Sequence, residues 1–412
     1  MYRFDIKHKN KKLLNIIVKS YQGNEFYDNN NISNVNDKDK IQVVNIEYNQ
    51  ILNSNKNKIE LYYENNVWDK MKKIINPYEL IYITNKKVRY KSISLIEPLS
   101  RSFFKMIEMS HIFLAKYHIN PILNLVNHFS DERVKTLHLA EGPGGFVEAW
   151  RYFRYYNKND LLYAITLLSN NKEIPSWKKT DSFIKDNPQV KLLTGLDGTG
   201  NLYNPDNINY VVSRLKQHSI NVITGDGGFD FSIGYNIQEQ YASKLIFCQV
   251  LLAIKCQKIG GTFICKFFDT NNKFTIDILY LLQNLYETIT IYKPFTSRVA
   301  NSERYIICSN YLREIDDIYW KKLLSILYLW NNNNRDNKLF NYNSLFNDTP
   351  ISFINFISTI NYHTINHQVK YINDTIDIIK NKKNDYWYET NRKKQHDNAS
   401  KWCIKFNIPY NF

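Results

Sequence analysis

An α/β fold built on a mostly parallel sheet is the class this 412-residue sequence predicts, from three observations. NVIT (Asn221 to Thr224) and TFIC (Thr262 to Cys265) are short apolar, largely β-branched or aromatic runs, which suits strands buried on both faces. Between them, Ile237 to Lys258 carries apolar residues at helical spacing (Ile237, Tyr241, Leu245, Cys248, Leu252), and Gly260 and Gly261 follow as an expected stop. LHLAEGPGGFVEAW (Leu137 to Trp150) reads as a strand, a glycine-rich turn and a helix start. In such sheets ligands gather outside the carboxyl ends of the strands, where Asp226 and Lys266 fall.

Taken in order, Met1 to about Lys56 is rich in Asn and Lys. Its β-like pieces, LLNIIVKSY and IQVVNIEY, are separated by NEFYDNNNISNVNDKDK, which predicts a small, partly ordered extension. Ser100 to Tyr117 is an amphipathic helix with Phe104, Ile107, His111 and Leu114 along one side. LLYAITLL (Leu161 to Leu168) is the next buried strand. It ends in Ser169 and Asn170, without the acidic residue a nicotinamide dinucleotide site needs for its ribose, so that reading loses support. GLDGTGNLYNPDNI (Gly195 to Ile208) is a turn-rich loop. Phe274 to Tyr286 is a helix, TITIY (Thr288 to Tyr292) a strand, and ERYIIC a final antiparallel strand beginning at Glu303. After Asn310, helices alternate with Asn-rich linkers, and Trp320, Leu323, Leu324 and Leu327 read as packing residues.

Net charge is +15 with 15% aromatic residues, which points to an anionic partner and to flat surfaces for stacking bases. A bias toward Asn, Lys, Ile and Tyr weakens that inference, because it raises charge everywhere. The five cysteines lie in apolar surroundings with no C-x-x-C pair and read as reduced core residues. No apolar run nears the roughly 18 to 20 residues of a membrane span, and no signal-like segment opens the chain, so a soluble intracellular protein without membrane contact is expected. Hydrolase and metal chemistry find no GxSxG, HExxH or ligand-spaced cluster.

An Asp, a Lys and a Glu each border an apolar run in DGGF (Asp226 to Phe229), GGTFICK (Gly260 to Lys266) and ANSERY (Ala300 to Tyr305). Together with NIQEQ (Asn236 to Gln240), KPFTSR (Lys293 to Arg298) and NPYEL (Asn76 to Leu80), these resemble the cap-specific mRNA nucleoside 2'-O-methyltransferases, a branch of the FtsJ/RrmJ-like family. The resemblance spans roughly Asn76 to Asn310. It implies a Rossmann-like methyltransferase using S-adenosyl-L-methionine (SAM), with a mostly parallel seven-stranded sheet and helices on both faces. It also implies an N-terminal extension (1–60), a catalytic domain (61–325) and a C-terminal helical extension (326–412).

Residue by residue, the resemblance implies a tetrad of Lys105, Asp226, Lys266 and Glu303. SAM would be held by Ala140, Glu141, Gly142, Pro143, Gly144, Gly145 and Phe146, with Asn201, Leu202 and Asp226. Two positions depart from the family pattern: His138 and Asn201 stand where relatives usually carry acids. Trp68 is the candidate stacker for a methylated guanine, against a competing reading as core. Lys72 and Arg298 are candidate phosphate contacts, and Asn236 and Asn301 would hold the first transcribed nucleotide. The implied reaction methylates that nucleotide's ribose at the 5' end of capped mRNA, cap 0 to cap 1. Alternatives are a ribosomal or transfer RNA 2'-O-methyltransferase and a silent cap-binding or RNA-binding subunit. Other capping or transcription proteins are further candidate partners. Base composition and cap chemistry together suggest a large DNA virus, hence host cytoplasm or virion. As general base, Lys266 must be neutral; Lys105 and exclusion of water should lower its pKa, whereas Asp226 and Glu303 oppose this.

Overall fold

The computed structural model describes residues 1–7, 19–22, 44–83, 91–119, 133–171, 174–229, 235–333, 340–346, 348–381 and 383–411. The chain opens with β1 (Tyr2–Lys7), β2 (Lys19–Gln22), α1 (Ile46–Glu60), α2 (Val67–Ile74) and α3 (Ser102–Phe113). Then come β3 (Lys135–Leu139), α4 (Gly145–Phe153), β4 (Leu161–Ile165), α5 (Asp181–Asp186), β5 (Val190–Leu193), α6 (Pro205–Leu215) and β6 (Ile220–Gly225). The remainder is α7 (Gln238–Cys256), β7 (Gln257–Phe267), α8 (Lys273–Leu285), β8 (Tyr286–Lys293), β9 (Arg304–Tyr311), α9 (Asp317–Asn333), β10 (Phe340–Ser344), α10 (Ile351–Lys380) and α11 (Asp385–Lys405).

Eight strands make one sheet in the order β1-β8-β9-β7-β6-β3-β4-β5. The ladders from β7 through β5 are parallel, and β9 is antiparallel between β7 and β8, as ERYIIC predicts. The eighth strand is β1, antiparallel to β8. The N-terminal stretch therefore completes the sheet and adds one strand to the seven expected.

Period-two alternation decides which core each strand residue joins. Ile223, Phe263, Cys265 and Ile306 pack under α6 to α9, while Val222, Ile264 and Ile307 face α3, α4 and α11. Burying such a side chain contributes about 1.5–3 kcal/mol, so both faces hold the sheet. All five cysteines are buried free thiols, and no helix among the described residues is long and apolar enough to cross a membrane.

Two local expectations are corrected. Helix α7 ends at Cys256, and Gly260 and Gly261 lie inside β7, where Gly260 takes φ +77 beside a register shift against β6. The glycines make a bulge, not a helix stop. From IQVVNIEY, Ile46 to Tyr48 begin α1, and 41–43 lie outside the described residues, as do 13–18 of LLNIIVKSY.

Candidate active site

Each of the four tetrad positions sits at the border of a regular element. Asp226 follows β6, Lys266 is the next-to-last residue of β7, Glu303 immediately precedes β9, and Lys105 is one turn into α3. The parallel β6-β7 ladder carries Asp226 and Lys266 out on the same edge of the sheet, and the β7-β9 ladder sets Lys266 opposite Tyr305. Lys105 Nζ donates to Glu303 at 2.7 Å. Lys266 Nζ donates to the Asp226 carbonyl at 2.8 Å and lies 3.2 Å from Asp226 Oδ1. The four side chains are 10–13% exposed, so the cluster is reachable yet largely dry.

Tyr305 completes the cluster and was missed by sequence reasoning, although it directly follows the Ser-Glu-Arg run. Its hydroxyl donates to Asp226 Oδ1 at 2.7 Å, and its ring lies 5.9 Å from Lys105 Nζ. Ser297 Oγ donates to Glu303 Oε1 at 2.7 Å. Burial would push Glu303 up, but Lys105 and Lys266 hold it well below the usual carboxylate range. Lys266 corrects the expected sign. Burial pulls its ammonium down, but Asp226, Glu303 and Glu141 pull harder, and it lies above the ordinary lysine value. Three carboxylates around one amine outweigh desolvation.

Beside this cluster is the glycine turn. Gly144 has φ +108 and caps α4, a conformation that favours glycine. A Cβ at Gly145 would strike the hydroxyls of Ser100 and Ser102, so the turn packs directly onto the start of α3. Glu141 Oε1 accepts from Phe146 N at 2.6 Å, while Oε2 is buried with no hydrogen-bond partner. Burial and Asp226 push this carboxyl well above its usual range. A buried carboxyl oxygen without a partner calls for a hydrogen-bond donor, and the α-ammonium of SAM is one whose positive charge would also favour the ionised carboxylate, so the residues present fit that cofactor. Ala140 has φ +51 at the strand exit, and Phe146 lies 5.9 Å ring to ring from Tyr305.

The loop 195–202 folds onto the end of β4, where a Cβ at Gly200 would meet the Thr166 carbonyl. Asp197 organises it by accepting from Thr199 N (2.9 Å), Thr199 Oγ1 (2.7 Å), Asn204 Nδ2 (2.9 Å) and Asn207 Nδ2 (2.9 Å). Asn201 Oδ1 accepts from Tyr203 N at 3.0 Å. Leu202 is 4% exposed within the core, so its side chain presents no face to a nucleoside, a correction to its expected contact. The exposed apolar side chains at these strand ends are Leu167 and Leu196. His138 is mid-strand, bonded to Thr136 Oγ1 (2.9 Å) and Thr224 Oγ1 (2.8 Å), and burial lowers its pKa to about 3. It is a neutral sheet residue, not a substitute for an acid.

Four of the five nucleotide-side residues come together. Trp68, Lys72, Arg298 and Asn301 line one cleft with Gln368 of α10, and the open space is about 60 Å³, room for a few waters. Trp68 is 3% exposed and packs with Ile59, Ala300, Ile372 and Ile376, so as placed it offers no face for stacking and the core reading prevails. Lys72 is paired with Asp69 on its own helix. Arg298 donates to both oxygens of Glu79, at 2.9 and 3.2 Å, and Glu79 also accepts from Asn76 at 2.7 Å. The NPYEL motif thus acts by holding an arginine 219 residues away. Asn236, the fifth, bonds to Asn57 of α1 and does not line this cleft.

A glycine turn beside two lysine-carboxylate pairs suits a methyltransferase scaffold, and residues 98–311 match the FtsJ-like methyltransferase family. The protein belongs to that family, and membership brings SAM as its cofactor. Among curated relatives it is similar to cap-specific mRNA (nucleoside-2'-O-)-methyltransferase 1 of Xenopus laevis, 31% identical over 264 residues, covering 61% of this chain and 29% of that protein. The Dictyostelium discoideum protein of the same name is 41% identical over 122 residues, covering 29% of this chain and 16% of that protein. The chain thus spans less than a third of the length of these relatives. Among solved structures, a ribosomal RNA methyltransferase of Plasmodium falciparum is 17% identical with a TM-score of 0.35, covering 52% of this chain and 98% of that chain.

Proposed function

We propose that this protein uses SAM to methylate the ribose 2'-hydroxyl of the first transcribed nucleotide of capped RNA. The observation that carries the reading is the pairing of Lys105 with Glu303 and of Lys266 with Asp226, with Lys266 also acting on Glu303 and on Glu141 of the glycine turn. Glu141 and Asp226 supply the negative charge that a sulfonium cofactor carrying an ammonium group requires, and 140–146 with the backbone of 201–202 form its bed. The cofactor supplies a methyl group already activated on sulfur.

What remains is to make a poor nucleophile reactive. Lys266 Nζ, as the free amine, takes the proton from the ribose O2'. Neutralisation of Glu141 and Asp226 by a cationic ligand removes much of the pull that keeps Lys266 charged, and arrival of RNA excludes water; both favour the amine. Lys105, held by Glu303, steadies the alkoxide that forms. Tyr305 and Lys266 fix the Asp226 carboxylate from two sides. Asn301 and Arg298 face the incoming nucleotide from the neighbouring cleft.

Short capped, uncapped and already 2'-O-methylated RNAs, assayed with labelled SAM and followed by mapping of the modified ribose, test the proposal. Label on the first transcribed ribose of capped RNA alone is expected. Equal transfer to uncapped ribosomal or transfer RNA would move the assignment to that substrate class, and no transfer with intact RNA binding would mark a silent subunit.

A further inference from the structure

Lys293, the last residue of β8, is 2% exposed, and its ammonium donates three hydrogen bonds. They reach Asn301 O at 2.7 Å, Asn301 Oδ1 at 3.0 Å and Glu303 O at 2.7 Å. All three acceptors belong to the short turn that delivers Asn301 to the nucleotide cleft and Glu303 to the tetrad. Three protons meet three oxygens, so any neutral or shorter side chain would leave a buried acceptor without a donor.

This clip also settles which way the Asn301 amide points. An ammonium has no acceptor atom, so the atom facing Lys293 must be Oδ1 and the amide NH2 must face away from it, toward the cleft side. We infer that Lys293 is a positioning residue that makes Asn301 a hydrogen-bond donor to an acceptor atom of the bound RNA, while fixing the spacing between that contact and Glu303. The inference rests on the reading of the cleft as the RNA site. An oxygen or ring nitrogen of the first nucleotide is the chemistry such an NH2 selects, and a donor at that place is disfavoured because the amide cannot turn over without losing its bond to Lys293.

Titration supports the same geometry. Burial pulls Lys293 down to about 7, opposed by Glu303 and Asp269 and aided by Arg304 and Lys105, while the Met1 ammonium and His367 of α10 face it from the other side. Once deprotonated, the amine has two protons and a lone pair, and the amide is free to flip. RNA affinity should therefore weaken as pH rises through about 7.

The test is RNA affinity by fluorescence anisotropy, with kcat and KM alongside, for wild type, Asn301→Asp, Lys293→Met and the double variant. Asn301→Asp keeps an oxygen for Lys293 but presents no NH2. It should lose about tenfold in capped-RNA affinity, with the change in KM exceeding any change in kcat. Lys293→Met should lose in both KM and kcat, and the double variant should be little worse than Lys293→Met, because the two residues act through one contact. Wild-type Kd should rise from about pH 6 to about pH 8, and that slope should vanish in Asn301→Asp. Wild-type affinity in Asn301→Asp, or losses that multiply in the double variant, overturns the inference. If thermal melts show Lys293→Met unfolded, Asn301→Asp and the pH slope decide alone. Failure of the functional reading shows differently: wild type would then bind RNA without methylating capped substrate.

Discussion

The tetrad and the nucleotide-side cleft are neighbours built on different plans. Asp226, Lys266 and Glu303 project from three adjacent strands, so backbone ladders set their spacing and Tyr305 and Ser297 brace them. The cleft is pieced together from α2, the bend after β8 and α10, and its polar members are engaged with one another: Lys72 with Asp69, Arg298 with Glu79, Asn301 with Lys293. The proposed chemistry would be placed by rigid elements, whereas the proposed recognition would rest on side-chain contacts that an incoming polyanion can exchange. The first should respond to mutation in rate, the second in affinity.

Lys266→Ala gives the sharpest break. Methyl transfer should fall by about 10²–10⁴-fold with SAM and RNA affinities little changed; full activity in radiolabel transfer would remove Lys266 as base. Next in size, Trp68→Ala should destabilise by about 3–5 kcal/mol in denaturant unfolding, the cost of emptying a packed indole site. A loss confined to cap-analogue affinity, with stability intact, would restore the stacking role. Arg298→Ala should raise KM for capped RNA by about tenfold with kcat within about twofold, and a kcat loss instead would merge the two regions. The smallest effect lies outside both. Burial raises Glu148 from 4.5 to about 7, opposed by a bond from Leu99 N at 2.8 Å. The native protein therefore holds an extra proton between those values, and stability falls as pH rises through that window. Glu148→Gln should flatten the slope by on the order of 1 kcal/mol in urea titrations run across it.

Much of the tetrad side was legible because strand ends punctuate the chain: Asp226, Lys266 and Glu303 each abut an apolar run. The glycine turn was legible for the same reason. What escaped depends on partners distant in sequence. Nothing local to NPYEL says that Glu79 will meet Arg298, nor does Lys293 announce three oxygens waiting in the next turn. The net sign on Lys266 required knowing how closely Asp226 and Glu303 approach its ammonium. Trp68 shows the limit of residue type: an aromatic suited to stacking is also suited to filling a hole, and burial chose the latter. Ile46 to Tyr48 look like strand because they continue an apolar, β-branched run, yet α1 packs against α10, and that partner lies some three hundred residues away.

Glu108, one turn beyond Lys105 on α3, takes hydrogen bonds from Tyr292 OH at 2.6 Å, Phe295 N at 2.8 Å and Trp402 Nε1 at 2.9 Å. Trp402 lies in α11, far outside the matched stretch 98–311. Anyone trimming this polypeptide to its matched stretch would therefore take a hydrogen-bond donor from a buried acid when cutting away the last helix, and that acid also holds the bend leading to Ser297 and Arg298. The shortest competent version must keep its tail.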